Sequence, residues 1–238
     1  MNKHVRAPLF AAILAASAAP AMADEIIPYV EGFAGYGIGA MSKNGDIVSG
    51  TGFAGDFGSS GVYGGGIGLK MPIDKTGVAI RFDLTGSAFP NLGGSNHTGT
   101  LDDGSTINAK VKLNAITYIA TIYADVDVGL PVVPFVGFGL GGAEKRIGTV
   151  VFNGPAGSFA TVNGSNHTDV AWSGTVGATY SVIPHFDLDL SYRYTYAGKA
   201  ESGTTFTDLS NGVTSSLDSQ ISSHVQLHQF LATIRYLF

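Results

Sequence analysis

The residues best equipped for chemistry are the histidines toward the carboxyl end. His224 and His228 lie near Ser222, Ser223 and Asp218, while His185 follows Pro184. A hydrolytic site needs a nucleophile and a base in hydrogen-bond reach, with a third group orienting the base. On a strand, the i, i+4 spacing puts His224 and His228 on one face but about 13 Å apart. One metal ion cannot bridge them. Both share the parity of Phe230, so they are expected on the rim of an outward apolar face. The sequence GSNHT occurs twice, at 94–98 and 164–168. Each copy carries one histidine, His97 or His167, and no second strong ligand at regular spacing. Asn and Gly favour turns, so two similar turn sequences can arise in so biased a composition; a duplicated contact site, or one metal shared by His97 and His167 where the loops meet, is the sharper alternative. There is no cysteine, so thiolate chemistry and Cys-based metal sites are excluded. No phosphate loop or zinc spacing occurs. No cofactor, metal or enzymatic activity is expected.

Eight charged residues carry a different chemistry. Glu31, Asp83, Asp187 and Asp189 share a polar register with Lys70, Arg81, Arg193 and Arg235. Four acids against four bases is a balance that a solvated face does not need. An interior does need it, because buried charges must be paired. Glu31 and Arg235 are expected to be neighbours where the first and last strands meet, with Asp187 and Lys70 at a similar depth. The predicted result is a lumen plugged by ion pairs. Glycines 35, 37, 66, 68, 137, 139 and 141 share the inward register and predict a roomier stretch of lumen. That stretch is the basis for an alternative reading, a narrow passive channel for ions or small solutes.

These residues sit on eight segments of period-two alternation: Tyr29–Gly39, Gly61–Met71, Val78–Ser87, Lys112–Asp125, Pro134–Ala143, Asp169–Val182, Phe186–Ala197 and His224–Phe238. Most exceed the five or six residues of a typical globular strand and suit a tilted strand crossing a bilayer. In the seventh, Phe186, Leu188, Leu190, Tyr192, Tyr194 and Tyr196 alternate with Asp187, Asp189, Ser191, Arg193 and Thr195. Connections after the second, fourth and sixth segments are short, each with a proline. The others run to roughly twenty to twenty-seven residues rich in Gly, Ser, Thr and Asn. The predicted fold is all-β: an eight-stranded antiparallel up-and-down transmembrane β-barrel with short periplasmic turns and four long extracellular loops. A soluble barrel would put the apolar face inward. The aromatics Tyr36, Trp172, Tyr180, Tyr192, Tyr194 and Tyr196 fall toward strand ends on the apolar face, which suits interfacial girdles.

The amino end reads as an export signal. Lys3, His4 and Arg6 precede the apolar run Leu9–Ala19, and Ala21-Met22-Ala23 supplies small residues for cleavage. Residues 1–23 are therefore expected to be removed, leaving 24–238 as the barrel domain. Without Lys3 and Arg6, 11 basic and 18 acidic residues remain, a net charge of −7. Nucleic acid is a poor partner for such a chain.

The eight-strand plan and the terminal HQFLATIRYLF resemble the small outer-membrane barrels of the OmpA, OmpX and opacity-protein type. The segment PFVGFGLGGAEKR, Pro134 to Arg146, is similar to the corresponding strand of alphaproteobacterial surface-antigen barrels. The resemblance implies residence in the outer membrane of a Gram-negative bacterium, among lipid and lipopolysaccharide. It also implies a non-enzymatic surface protein of adhesin or antigen type, with loops meeting a host or cell-surface ligand. Phe230, Ile234, Tyr236 and Phe238 match the C-terminal signal read by the family's assembly machinery. A cell-wall tether of the OmpA kind is not expected. Some barrels of this size modify lipid A; the deacylase type places a His and a Ser two apart near the barrel exterior, and no comparable pair with a nearby acid on a strand is found here.

Overall fold

The computed structural model describes residues 26–41, 58–73, 76–100, 106–155, 157–216 and 222–238. The alternating Val, Ile, Thr, Tyr and Phe residues favour a pleated, half-buried surface, and the described residues form one antiparallel sheet of twelve strands. The strands are β1 (Ile27–Met41), β2 (Gly58–Ile73), β3 (Val78–Thr100), β4 (Thr106–Val126), β5 (Val132–Ile147), β6 (Val150–Gly154), β7 (Gly157–Val162), β8 (Ser165–Ile183), β9 (Phe186–Glu201), β10 (Thr205–Asp208), β11 (Thr214–Ser216) and β12 (Ser222–Leu237).

Eight of them, β1, β2, β3, β4, β5, β8, β9 and β12, each pair with the next in that order. β1 returns to β12 with Glu31 opposite Arg235 and Tyr29 opposite Leu237, which closes the barrel. The tight turns at one end use left-handed backbone at Gly77 (φ 68), Gly129 (φ 73) and His185 (φ 71). Glycine takes that conformation without steric cost, whereas His185 must be held in it. The Leu237 amide donates to the His185 carbonyl at 2.8 Å, and the His185 imidazole lies 3.0 Å from the Leu237 carbonyl.

The strands run further than period-two alternation alone predicts. β3 continues past Ser87 to Thr100, and β4 begins at Thr106. The last two long connections are not structureless either. β6 and β7 form a hairpin that takes up the edge of β4 beyond the end of β5, pairing Asn108 with Asn153 and Lys110 with Val151. β10 then pairs with β7, Phe206 opposite Val162, and β11 with β10. An unpaired strand edge exposes a row of N–H and C=O groups. Here the sheet continues from β4 through β6, β7 and β10 to β11, the last described strand on that side.

The two faces are inverted relative to a soluble barrel. On the outside Leu190 is 63% exposed and Ile234 60%, whereas Arg81 and Arg235 are 1% and 0% exposed inside.

Candidate functional site

The lumen is built in layers. At the tight-turn end, Arg235 projects from β12 among three carboxylates: Glu31 at 4.0 Å, Asp187 at 3.3 Å, and Asp189 in direct contact. Arg81 bonds Asp125 at 2.9 Å and approaches Asp189 at 3.6 Å. Its guanidinium lies over the rings of Tyr123 and Phe135, 4.6 and 4.7 Å from their centroids. Arg193 donates to the Tyr123 hydroxyl at 3.3 Å and faces Phe33. Asp83 accepts from the Tyr29 hydroxyl, and Ser181 donates to Asp187 at 2.7 Å. Guanidinium suits this setting because its fixed fork of donors serves several carboxylates and its plane stacks on aromatic faces.

Seven of the eight predicted lumen charges thus meet in one layer. Lys70 does not. It makes no ion pair among the described residues and lines an open vestibule at the tight-turn mouth with Ile27, His185, Asp187 and Phe238. Its register on β2, opposite Ile27, places it too near the strand end to reach the layer. Asp125 takes part instead. It ends the fourth predicted strand with the parity of Tyr123 and Thr121, and that parity was the signal available for it. Five carboxylates therefore face three guanidinium groups, so the expected four-against-four balance does not hold.

The inward glycines do not widen the lumen. A Cβ on Gly68 would lie 2.3 Å from the Tyr29 ring, and one on Gly137 would lie 2.3 Å from the Tyr123 ring. Gly64 and Gly177 leave the same room for Phe33 and Phe135, with ring atoms at 2.5 Å. Each glycine is a seat for an aromatic ring lying across the neighbouring strand. The space left among Glu31, Arg81, Asp83, Asp189 and Arg193 is a cavity of about 10 Å3, roughly room for one water molecule.

Beyond the charged layer, toward the long connections, the filling turns apolar. Val62, Phe89, Leu92, Leu113, Val225 and Leu227 are buried together with a ring of alanines, among them Ala115, Ala143 and Ala171. Lys145 and Asp169 cap this layer with an ion pair at 2.8 Å. Asp169 also accepts from the Lys199 amide at 2.7 Å and from His167 at 3.2 Å. Above the barrel, the Asp208 carboxylate is held below its usual range by the hydroxyl and amide of Ser210.

The described catalytic candidates, His185, His224 and His228, do not come together. His228 meets the Tyr192 hydroxyl at 2.7 Å, and His224 meets that of Tyr196. Both pairs lie on the outer face, well away from His185 at the opposite end. The side chains of Ser222 and Ser223, all of Asp218, and the side chain of His97 lie outside the described residues. No group of three or more metal-ligating side chains occurs among the described residues.

The outer face carries the predicted aromatics. Tyr36 (50% exposed), Trp172, Tyr192, Tyr194 and Tyr196 lie toward the long-connection end, and Trp172 packs on Tyr194 and Tyr196 with centroids 5.4 and 6.1 Å apart. Tyr180 lies toward the tight turns, as do Phe186 and Tyr236, whose rings touch at 5.0 Å. Phe230, Ile234, Tyr236 and Phe238 are all exposed. Phe230 packs on Tyr192 at 5.4 Å rather than with the terminal aromatics. The Phe238 amide donates to the Pro28 carbonyl at 3.0 Å, fastening the end of the chain to β1.

The family described as "Outer membrane protein beta-barrel domain" matches residues 9–216. Outer membrane protein PagN of Salmonella typhimurium (strain LT2) is 28% identical over 196 residues, which is 79% of this chain and 81% of that protein. An outer membrane protein of Gluconacetobacter diazotrophicus is 29% identical over 113 residues, 47% of this chain and 30% of that one. The crystal structure of Neisserial surface protein A superposes with a TM-score of 0.50 at 20% identity, covering 89% of this chain and 97% of the other.

Proposed function

Because the chain belongs to the outer membrane protein β-barrel domain family, we propose that it is a non-enzymatic outer-membrane protein that makes surface contacts through its hairpin extension. The barrel beneath acts as a closed, rigid support, its lumen plugged by the Arg235, Arg81 and Arg193 ion pairs and by packed apolar side chains. The outer face, apolar from Leu190 to Ile234, is the face that meets lipid. The tight turns lie in the periplasm and the hairpins outside the cell. Residues 1–23 are the cleaved export signal. The terminal face of Phe230, Ile234, Tyr236 and Phe238 is read by the assembly machinery during insertion.

One observation carries the contact reading. β6, β7, β10 and β11 extend a single sheet from β4 beyond the barrel wall, and Phe159, Leu209 and Val213 on that extension are exposed. Exposed apolar side chains on a rigid, hydrogen-bonded platform suit recognition better than catalysis. The filled charged layer, with its one-water cavity, argues against the passive-channel alternative.

Whole bacteria producing the protein, applied to host cells and to immobilised matrix proteins, test this. Replacing residues 205–216 by a short Gly-Ser link is expected to lower binding about tenfold while leaving surface display intact. If producing cells bind no better than cells lacking the protein, the contact function is wrong.

A further inference from the structure

The outer face is not uniform around the barrel. One sector, formed by β1, β12, β9 and β8, carries a hollow of about 610 Å3. Its floor is Ala34 and Ala232, opposite each other in register, with the backbone of Gly35 and Leu231. Tyr36, Phe230 and Tyr192 form a continuous aromatic wall on its extracellular side, and Val176 and Leu190 line its far side. A Cβ on Gly35 would lie 1.9 Å from the Phe230 carbonyl oxygen, so β1 and β12 approach closely beneath the floor.

The wall is topped by two histidine–tyrosine pairs and a lysine. His228 meets the Tyr192 hydroxyl at 2.7 Å and packs edge-on to Tyr194 at 5.3 Å. His224 meets the Tyr196 hydroxyl, and Lys199 stands opposite His224 in register on the same face. In the tautomer that takes the tyrosine proton at Nδ1, each histidine presents its Nε2 proton outward; in the other, Nε2 accepts. Two imidazole rings and an ammonium group thus lie at the extracellular edge of an apolar hollow. A second hollow, among Ile80, Ile122, Val136 and Phe138 toward the periplasmic side, has no histidine or cationic side chain among its lining residues.

We infer that this sector is a binding site for one molecule of phosphorylated, acylated glycolipid of the lipid A type. One acyl chain lies on the Ala34–Ala232 floor, and headgroup oxygens accept from His228 and His224, with Lys199 balancing the phosphate. The occupant follows from three features together. The surface faces lipid, the imidazoles and the ammonium group stand at the outer-leaflet end of the hollow, and the hollow itself has no carboxylate among its lining residues. A second protein copy would leave the imidazoles and the ammonium group unanswered unless it brought acids to them.

Native mass spectrometry of the detergent-extracted, folded barrel incubated with bisphosphorylated lipid A is the test, with phosphatidylglycerol and dephosphorylated lipid A as comparisons. Wild-type protein is expected to retain one lipid A. Ala232→Phe, or Ala34→Phe should the first variant fail to fold, fills the floor and lowers retention about tenfold. His228→Ala lowers retention about threefold for lipid A and not for its dephosphorylated form. Ala124→Phe, which fills the second hollow, leaves retention unchanged. Equal retention by Ala232→Phe, equal loss in Ala124→Phe, or equal retention of phosphatidylglycerol each overturns the inference. So does a wild-type dimer that Ala232→Phe dissociates, because the occupant would then be a second copy.

Discussion

Arg235 is fully buried, and three carboxylates from β1 and β9 converge on it. The sequence singles it out as a charge within an apolar-looking terminus and predicts Glu31 or Asp187 as its partner; Asp189 adds a contact that parity allows but cannot assign. Removing the guanidinium leaves uncompensated carboxylates in a site without solvent. Arg235→Ala is therefore expected to cost about 3–5 kcal/mol, read as a lower temperature for the heat-induced gel mobility shift of the folded barrel. An unchanged shift temperature would mean that Arg235 fills space and nothing more. Lys70 and Asp125 show where parity stops informing. Both point inward, yet one reaches the charged layer and the other stays in the vestibule. Depth along a tilted strand depends on the shear of the closed barrel, which no single strand encodes.

At the level of elements, the eight long strands were legible because each alternates over ten or more residues. The surface hairpins were not. β6 and β10 are five and four residues long, too short for a period to stand out against Gly- and Thr-rich surroundings. Their ladders also depend on partners far away in the chain, β4 for β6 and β7 for β10. Phe206 lies at the centre of this arrangement, paired with Val162 on one side and Ser215 on the other. Proline there removes a donor and breaks an interior ladder. Phe206→Pro is expected to make the surface extension cleavable by protease on intact cells, at least about tenfold faster, with the gel shift of the barrel unchanged. Equal cleavage rates would mean that the β7–β10 pairing does not hold the extension together.

For the molecule as a whole, the filling of the lumen is expected to govern permeability. The charged layer with its single small cavity, the apolar layer above it and the Lys145–Asp169 cap act in series. Ions would have to cross the apolar layer without hydration, which is prohibitive for a bare charge. Planar bilayers containing the purified protein are expected to show no steady conductance; reproducible open steps that disappear on substituting Arg81 or Arg193 would restore the channel reading. The sequence by itself determined the strand number, the up-and-down order, the inverted faces and most of the buried charges. These follow from local alternation, turn residues and the cost of burying an unpaired charge. Only the tertiary structure decided that Gly68, Gly64, Gly137 and Gly177 are seats for Tyr29, Phe33, Tyr123 and Phe135, and that Gly35, Gly66 and Gly141 lie against neighbouring backbone, rather than facing open space. It alone decided that Asp125 replaces Lys70 and that the last two connections continue the sheet. Each of those outcomes depends on which residues of different strands reach the same depth, and closure of the barrel sets that depth.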